Sequence, residues 1–231
     1  MIVLGIETST ARSSVALLSD GEVIAQEYHE DARGHGAFLA PALRRCLDVA
    51  AARDGGVGIV DLVAVGTGPG LYTGLRIGMA TAAAFASARG VPIAGVGGLD
   101  TLAVGSGVSD ATVITTLDAR RGQVFWAIHA PHDGLLRCVE EPRVGSREEL
   151  DAVVGDLAAG GAVHVVGEVA TDGVTRPDAA DTARLATVRA ATTATELLAP
   201  EALAPVYLRD ADVRIGWNER GGIRRGADGA S

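Results

Sequence analysis

The chain of 231 residues contains no lysine; all 20 of its basic side chains are arginine. That absence removes Schiff-base chemistry, the Walker phosphate loop and the kinase-type phosphate lysine, each of which needs an ammonium on a flexible stem. Cysteine is almost as scarce. Cys46 and Cys138 are too few for a disulfide framework, which points to a cytoplasmic setting. Positive charge is in the minority, with 20 bases against 29 acids and a net charge of −9, so the chain lacks the basic face that independent nucleic-acid binding requires. No long hydrophobic run exists either. The stretch 79–88 is short and interrupted by Thr81 and Ser87, whereas a membrane span needs about 20 apolar residues. The first residues, Met1-Ile2-Val3-Leu4-Gly5-Ile6-Glu7, have no basic start and read as a strand, not a signal peptide.

What is present is enough apolar character, 48% of the chain, to bury a real core in one large domain or two small ones. Runs rich in β-branched residues predict strands over 2–6, 14–18 and 22–28, and Asp20-Gly21 marks a tight hairpin between the last two. Leu39, Leu43, Cys46, Leu47 and Ala50 recur at three-to-four spacing and predict a helix over 36–52, stopped by Asp54-Gly55-Gly56. A buried strand over 62–65, a glycine-rich loop, a helix over 73–89 ended by Gly90 and a strand over 92–96 follow. The same order then recurs: strands over 112–117, 123–129 and 135–139, a helix over 147–158, a strand over 163–166 and a helix over 181–194. The offset is roughly 110 residues, which predicts a duplicated α/β fold of two βββαβα units. The expected division is 1–105, 106–215 and a glycine- and arginine-rich tail over 216–231.

Three segments carry possible chemistry. Glu7-Thr8-Ser9-Thr10 ends the first strand, where two-unit ATP-binding folds face phosphate, but it offers no glycine for close approach, and local turn hydrogen bonds are the preferred reading. Gly66-Thr67-Gly68-Pro69-Gly70-Leu71-Tyr72-Thr73-Gly74 leads into a helix N-terminus, a place where free amides can hold an anion. Its spacing nevertheless fails both the lysine-bearing loop and the dinucleotide fingerprint, so a rigid strand-to-helix turn is expected. Asp118-Ala119-Arg120-Arg121-Gly122-Gln123 occupies the equivalent turn of the second unit. Two arginines stand where a phosphate loop wants glycine, and a solvated turn is the default. His29, His35, His129, His132 and His164 form no HxxxH or HExxH pair, and His129 and His132 are expected at the surface. No metal and no cofactor are expected. The helix over 73–89 stands out differently: Gly74, Gly78, Ala82 and Ala86 form a ridge without bulk, and the helix lacks a polar face. Either the chain buries this helix on both sides, or another subunit covers it.

On these residues the sequence resembles the TsaB (YeaZ) family of bacterial tRNA-modification proteins. The resemblance rests on Gly5-Ile6-Glu7-Thr8-Ser9-Thr10, on Gly34-His35 with Leu39-Ala40-Pro41, and on Leu117 to Phe125. Pro205-Val206-Tyr207-Leu208-Arg209 adds to it, and Gly68 to Gly78, close to GPGSFTGLRIG, is the most specific stretch. Glu7, Leu71 and Tyr72 stand where the family commonly has aspartate, serine and phenylalanine. The resemblance implies a duplicated fold of the actin-like ATPase and RNase H-like (ASKHA) class. It further implies a non-catalytic subunit that helps form N6-threonylcarbamoyladenosine beside the anticodon, in tRNAs reading codons that begin with A. The implied partners are a TsaD-like catalytic paralogue, a TsaE-like ATPase at their junction and, alone, a second copy of the chain; tRNA would be met only indirectly. The implied interface uses His35, Leu39, Leu43 and Cys46 on the first helix and Gly74, Arg76, Gly78, Ala82 and Ala86 on the second. On this reading Gly78→Arg or Ala82→Arg blocks pairing and leaves the monomer folded. The competing reading is an autonomous ASKHA-type ATPase or kinase.

Overall fold

The computed structural model describes residues 1–53, 60–170, 175–192 and 197–208. The expected helix stop at 54–56, Arg209 and the tail over 216–231 lie outside the described residues. Chain order is β1 (Ile2–Glu7), β2 (Ser13–Ser19), β3 (Glu22–His29), α1 (His35–Arg53), β4 (Leu62–Gly68), α2 (Tyr72–Arg89), β5 (Ile93–Gly97) and α3 (Gly98–Gly105), then β6 (Thr112–Arg120), β7 (Gln123–His132), β8 (Leu135–Ser146), α4 (Arg147–Ala158), β9 (Val163–Gly167) and α5 (Ala179–Thr192).

The first sheet has the order β3-β2-β1-β4-β5 and the second β8-β7-β6-β9. In each, an antiparallel meander is extended by a parallel strand, β4 beside β1 and β9 beside β6. The duplicated α/β architecture expected from the repeat is therefore present, with β5 and α3 added to the first copy. Local chemistry explains the turns. Asp20 and Gly21 both take positive φ in the β2–β3 hairpin, and Gly90 ends α2 in the left-handed conformation, its N–H returning to Ala86 and Ser87 carbonyls. Ser146 caps α4 reciprocally with Glu149, which starts that helix sharply after β8.

Strand periodicity divides the core in two. Leu4 and Ile6 of β1 with Val15 and Leu17 of β2 face α1 and α2, meeting Leu39, Met79 and Ala82. Val3, Ala16 and Leu18 face the opposite way, onto Ala179, Ala183 and Ala186 of α5. Thus α5, though it lies in the second half of the chain, covers the back of the first sheet. Gly5 permits this, because a Cβ there would overlap the Ala179 carbonyl. The second sheet packs on α3 through Leu117, Phe125 and Ala127, and on α4 through Trp126, Ile128 and Leu150. Arg176 ties the two sheets, donating to Glu30 at 2.8 Å and to Glu168 at 3.1 Å. Among the described residues no helix is long and apolar enough to cross a membrane.

Candidate functional site

The three turns at the C-terminal ends of β1, β4 and β6 are where this architecture would place chemistry. The first two fill each other. Thr8 Oγ1 donates to the Gly74 carbonyl at 2.8 Å, Ser9 N–H donates to Glu7 Oε1 at 2.7 Å, and Leu71 N–H donates to the Ser9 carbonyl at 2.7 Å. A Cβ at Gly66 would overlap the Glu7 carboxylate, one at Gly70 the Ser9 carbonyl, and one at Gly74 or Gly78 the Thr8 backbone or hydroxyl. The glycines thus serve close contact within the chain, and the segment is the rigid strand-to-helix turn expected from its spacing.

Glu7 is fully buried, and burial pushes its carboxyl pKa above the ordinary carboxylate range against the opposing hydrogen bonds from Ser9. The unfolded chain gives up this proton first, so stability falls as pH rises from the ordinary carboxylate range toward the folded value. Glu7→Gln carries no such charge. Urea unfolding at about pH 5 and about pH 8 is expected to show wild type losing stability relative to the variant at the higher pH.

The third turn keeps its arginines exposed. Arg120 and Arg121 hold φ of 65° and 55°, and Arg120 is bound back to Asp118, its N–H at 2.7 Å and its guanidinium at 3.0 Å. Beside it lies a cavity of about 450 Å³ bounded by this turn, residues 69–72 and residues 206–208. On its wall Tyr72 and Tyr207 stack with centroids 5.4 Å apart, and the Arg76 guanidinium lies 4.0 Å over Tyr72. Arg76 Nε also donates to the Tyr207 hydroxyl at 3.2 Å, and Val206 N–H donates to the Thr67 carbonyl. Arg76 is thereby pinned at the start of α2's outer face.

That outer face needs a correction. Gly74, Gly78, Ala82 and Ala86 are buried against the chain's own β1–β2 turn and sheet, so no partner can cover them. His35, Leu39 and Cys46 are buried too. His35 Nδ1 is bound to the Ser13 hydroxyl, burial lowers the imidazole pKa, and burial pushes the Cys46 thiol up to about 11. Of the nine expected interface residues only Arg76 is exposed and Leu43 half-buried. The open stripe of α2 lies two positions along, about 200° around the helix: Arg76, Ala80, Ala84 and Ala88. Next to it α1 presents Ala37, Ala40 and Pro41, with Leu43, Leu47, Ile77 and Phe85 only partly covered in the seam. Two adjacent helices therefore offer a low-bulk apolar stripe, with the ion-paired Arg44 and Asp48 exposed further along α1.

The sequence reading also missed a histidine–carboxylate pair. His129 is 1% exposed, not superficial, and its Nε2 lies 3.0 Å from Asp100 Oδ1 on the short helix α3. Only the alternation of β7, which puts His129 in register with the buried Phe125 and Ala127, could have suggested it.

Comparison with known proteins follows the same lines. A family model described as TsaD, tRNA N6-adenosine threonylcarbamoyltransferase, matches residues 22–138. An uncharacterized protein of Mycobacterium leprae is 37% identical over 169 residues, 71% of this chain and 44% of that protein. The tRNA threonylcarbamoyladenosine biosynthesis protein TsaB of Bacillus subtilis is 35% identical over 141 residues, 60% of this chain and 59% of its own length. These matches span less than two thirds of either relative. The solved structure of YeaZ from Pseudomonas aeruginosa superimposes with a TM-score of 0.75 at 29% identity, covering 90% of this chain and 99% of that one.

Proposed function

The chain belongs to the TsaB (YeaZ) family, and from that premise we propose that it is the non-catalytic scaffold subunit of a tRNA threonylcarbamoyltransferase assembly. In this reading it takes part in making N6-threonylcarbamoyladenosine by holding a TsaD-like catalytic paralogue in its working arrangement. A TsaE-like ATPase docks at the junction, and the free chain pairs with itself through the same surface.

The observation that carries the proposal is the exposed face of α1 and α2. Ala40, Ala80, Ala84 and Ala88 lack the bulk to keep a second helix pair away, so four helices can approach closely. A stable interface removes about 800 Å² per partner from water, worth about 25 cal/mol for each apolar Å² before association costs. Arg76, immobilised by Tyr72 and Tyr207, gives the face a fixed positive charge at one end without the entropy loss of ordering a free arginine. The mutual packing of the Glu7 and Gly66–Gly74 turns supports a structural role for the segments that an ATPase would use on phosphate.

Co-expression with the TsaD-like paralogue is expected to yield a one-to-one complex on size exclusion. A reconstituted modification assay is expected to lose product when this chain is omitted. Normal product without it, or nucleotide turnover by the purified chain alone, overturns the reading.

A further inference from the structure

Away from the helix face, three side chains with different donor atoms converge at the junction of α3 with the second sheet. Asp100 comes from the first turn of α3, His129 from β7 and Cys138 from β8. Register explains part of the convergence. His129 lies opposite Cys138 in the β7–β8 ladder, so both side chains leave the same face, over which α3 lays Asp100. One oxygen, one nitrogen and one sulfur of the three all fall within 4.8 Å of one another.

The geometry points to a divalent transition-metal site: we propose that Asp100 Oδ1, His129 Nε2 and Cys138 Sγ bind one zinc ion. Tetrahedral zinc with bonds of about 2.0 Å to N and O and about 2.3 Å to S sets neighbouring ligand atoms about 3.3 to 3.6 Å apart. The Asp100–His129 separation of 3.0 Å already sits close to that range, and with all three atoms within 4.8 Å the sulfur has about 1 Å to close. The Cys138 thiol rests 3.0 Å from the Glu140 carbonyl on the edge strand β8, a contact that metal binding would exchange for the bond to sulfur.

Chemistry selects the ion. Magnesium and calcium want all-oxygen cages, whereas a thiolate beside an imidazole suits zinc. Arg189 donates to Asp100 Oδ2 at 2.7 Å, which orients the carboxylate and leaves Oδ1 for the metal. Asp100 is the acceptor facing Nε2, and His129 Nδ1, buried without a hydrogen-bond partner among the described residues, is the nitrogen left to take the ring proton when Nε2 coordinates. A cavity of about 380 Å³ bounded by Asp100, Cys138, Glu140 and Glu141 opens on the cluster, supplying an entry path and room for a water in the fourth position. On binding, the thiol proton passes to solvent, while the ring proton that Nε2 turns toward Asp100 moves to Nδ1, leaving a neutral imidazole for the metal.

The test uses the full chain under a thiol-free reductant, with zinc or cobalt(II) as the only added metal. One zinc per chain by calorimetry is expected, together with thiolate-to-cobalt charge-transfer absorption in the near ultraviolet. Cys138→Ser is expected to abolish that absorption and weaken zinc at least about tenfold, while Cys46→Ser changes neither. Cys138 is partly exposed, so its variant should fold, which circular dichroism checks; Asp100→Asn is expected to weaken zinc as well. No zinc bound, absorption that survives Cys138→Ser, or absorption lost instead with Cys46→Ser overturns the proposal.

Discussion

Ala84→Arg is expected to abolish pairing with the TsaD-like partner while leaving the chain folded. Ala84 lies at the middle of the open stripe of α2, flanked one turn away by Ala80 and Ala88, and it is exposed. A surface substitution of this kind changes monomer stability by only about 0.5 kcal/mol, hence the melting temperature by a few degrees at most. At the centre of a close helix contact, the same guanidinium must either be desolvated without a partner or force the helices apart. A penalty of about 3 kcal/mol is the expected scale, or roughly a hundredfold in dissociation constant. Sedimentation of the mixture should then show two separate species, and the modification assay should fall in step. Ala82→Arg is the informative contrast. It enters the core and should lower the melting temperature sharply, so loss of pairing there says nothing about the face. Unimpaired pairing by Ala84→Arg would place the interface elsewhere.

The second large effect concerns the glycines of the strand-to-helix turn. Gly74→Ala and Gly78→Ala are each expected to destabilise the chain by about 2 to 4 kcal/mol, despite alanine's advantage of about 1 kcal/mol in a helix interior. The two differ in what the new methyl meets. At Gly74 it meets the Thr8 carbonyl, which belongs to the backbone and cannot turn away, whereas at Gly78 it meets the Thr8 hydroxyl. Thr8→Ala should therefore rescue part of the Gly78→Ala loss, less the roughly 1 kcal/mol of the hydrogen bond to Gly74. It should rescue none of the Gly74→Ala loss. Urea denaturation of the two double-mutant cycles reads the difference as a coupling energy at position 78 and none at 74.

These two expectations replace the one the sequence suggested, that Gly78→Arg spares the monomer. Much else was legible. Runs of β-branched residues and helical periodicity locate the nine strands and four of the five helices found among the described residues, because these signals are set by backbone geometry residue by residue. Asp20-Gly21 and Gly90 were readable for the same reason, since a positive φ selects for few residue types. The helix α3 escaped because eight residues running on directly from a strand carry too short a period to separate from it. His129 is misplaced because the strand expected over 123–129 puts it at a terminus, whereas β7 continues through Pro131 to His132.

Local dihedral preferences and residue spacing were enough to give the duplicated order of elements, the turns and the small-residue character of α2. Which side of α2 is inside depends on long-range packing. Two stripes of comparable smallness, through Gly74 and Gly78 and through Ala80 and Ala84, are equivalent to any periodic measure. The choice falls to a loop more than sixty residues earlier, whose Thr8 packs into the glycines and bonds to Gly74. In the same way α5 was readable as a helix but not as the cover of the first sheet, because that depends on the bare backbone at Gly5 meeting Ala179 across most of the chain.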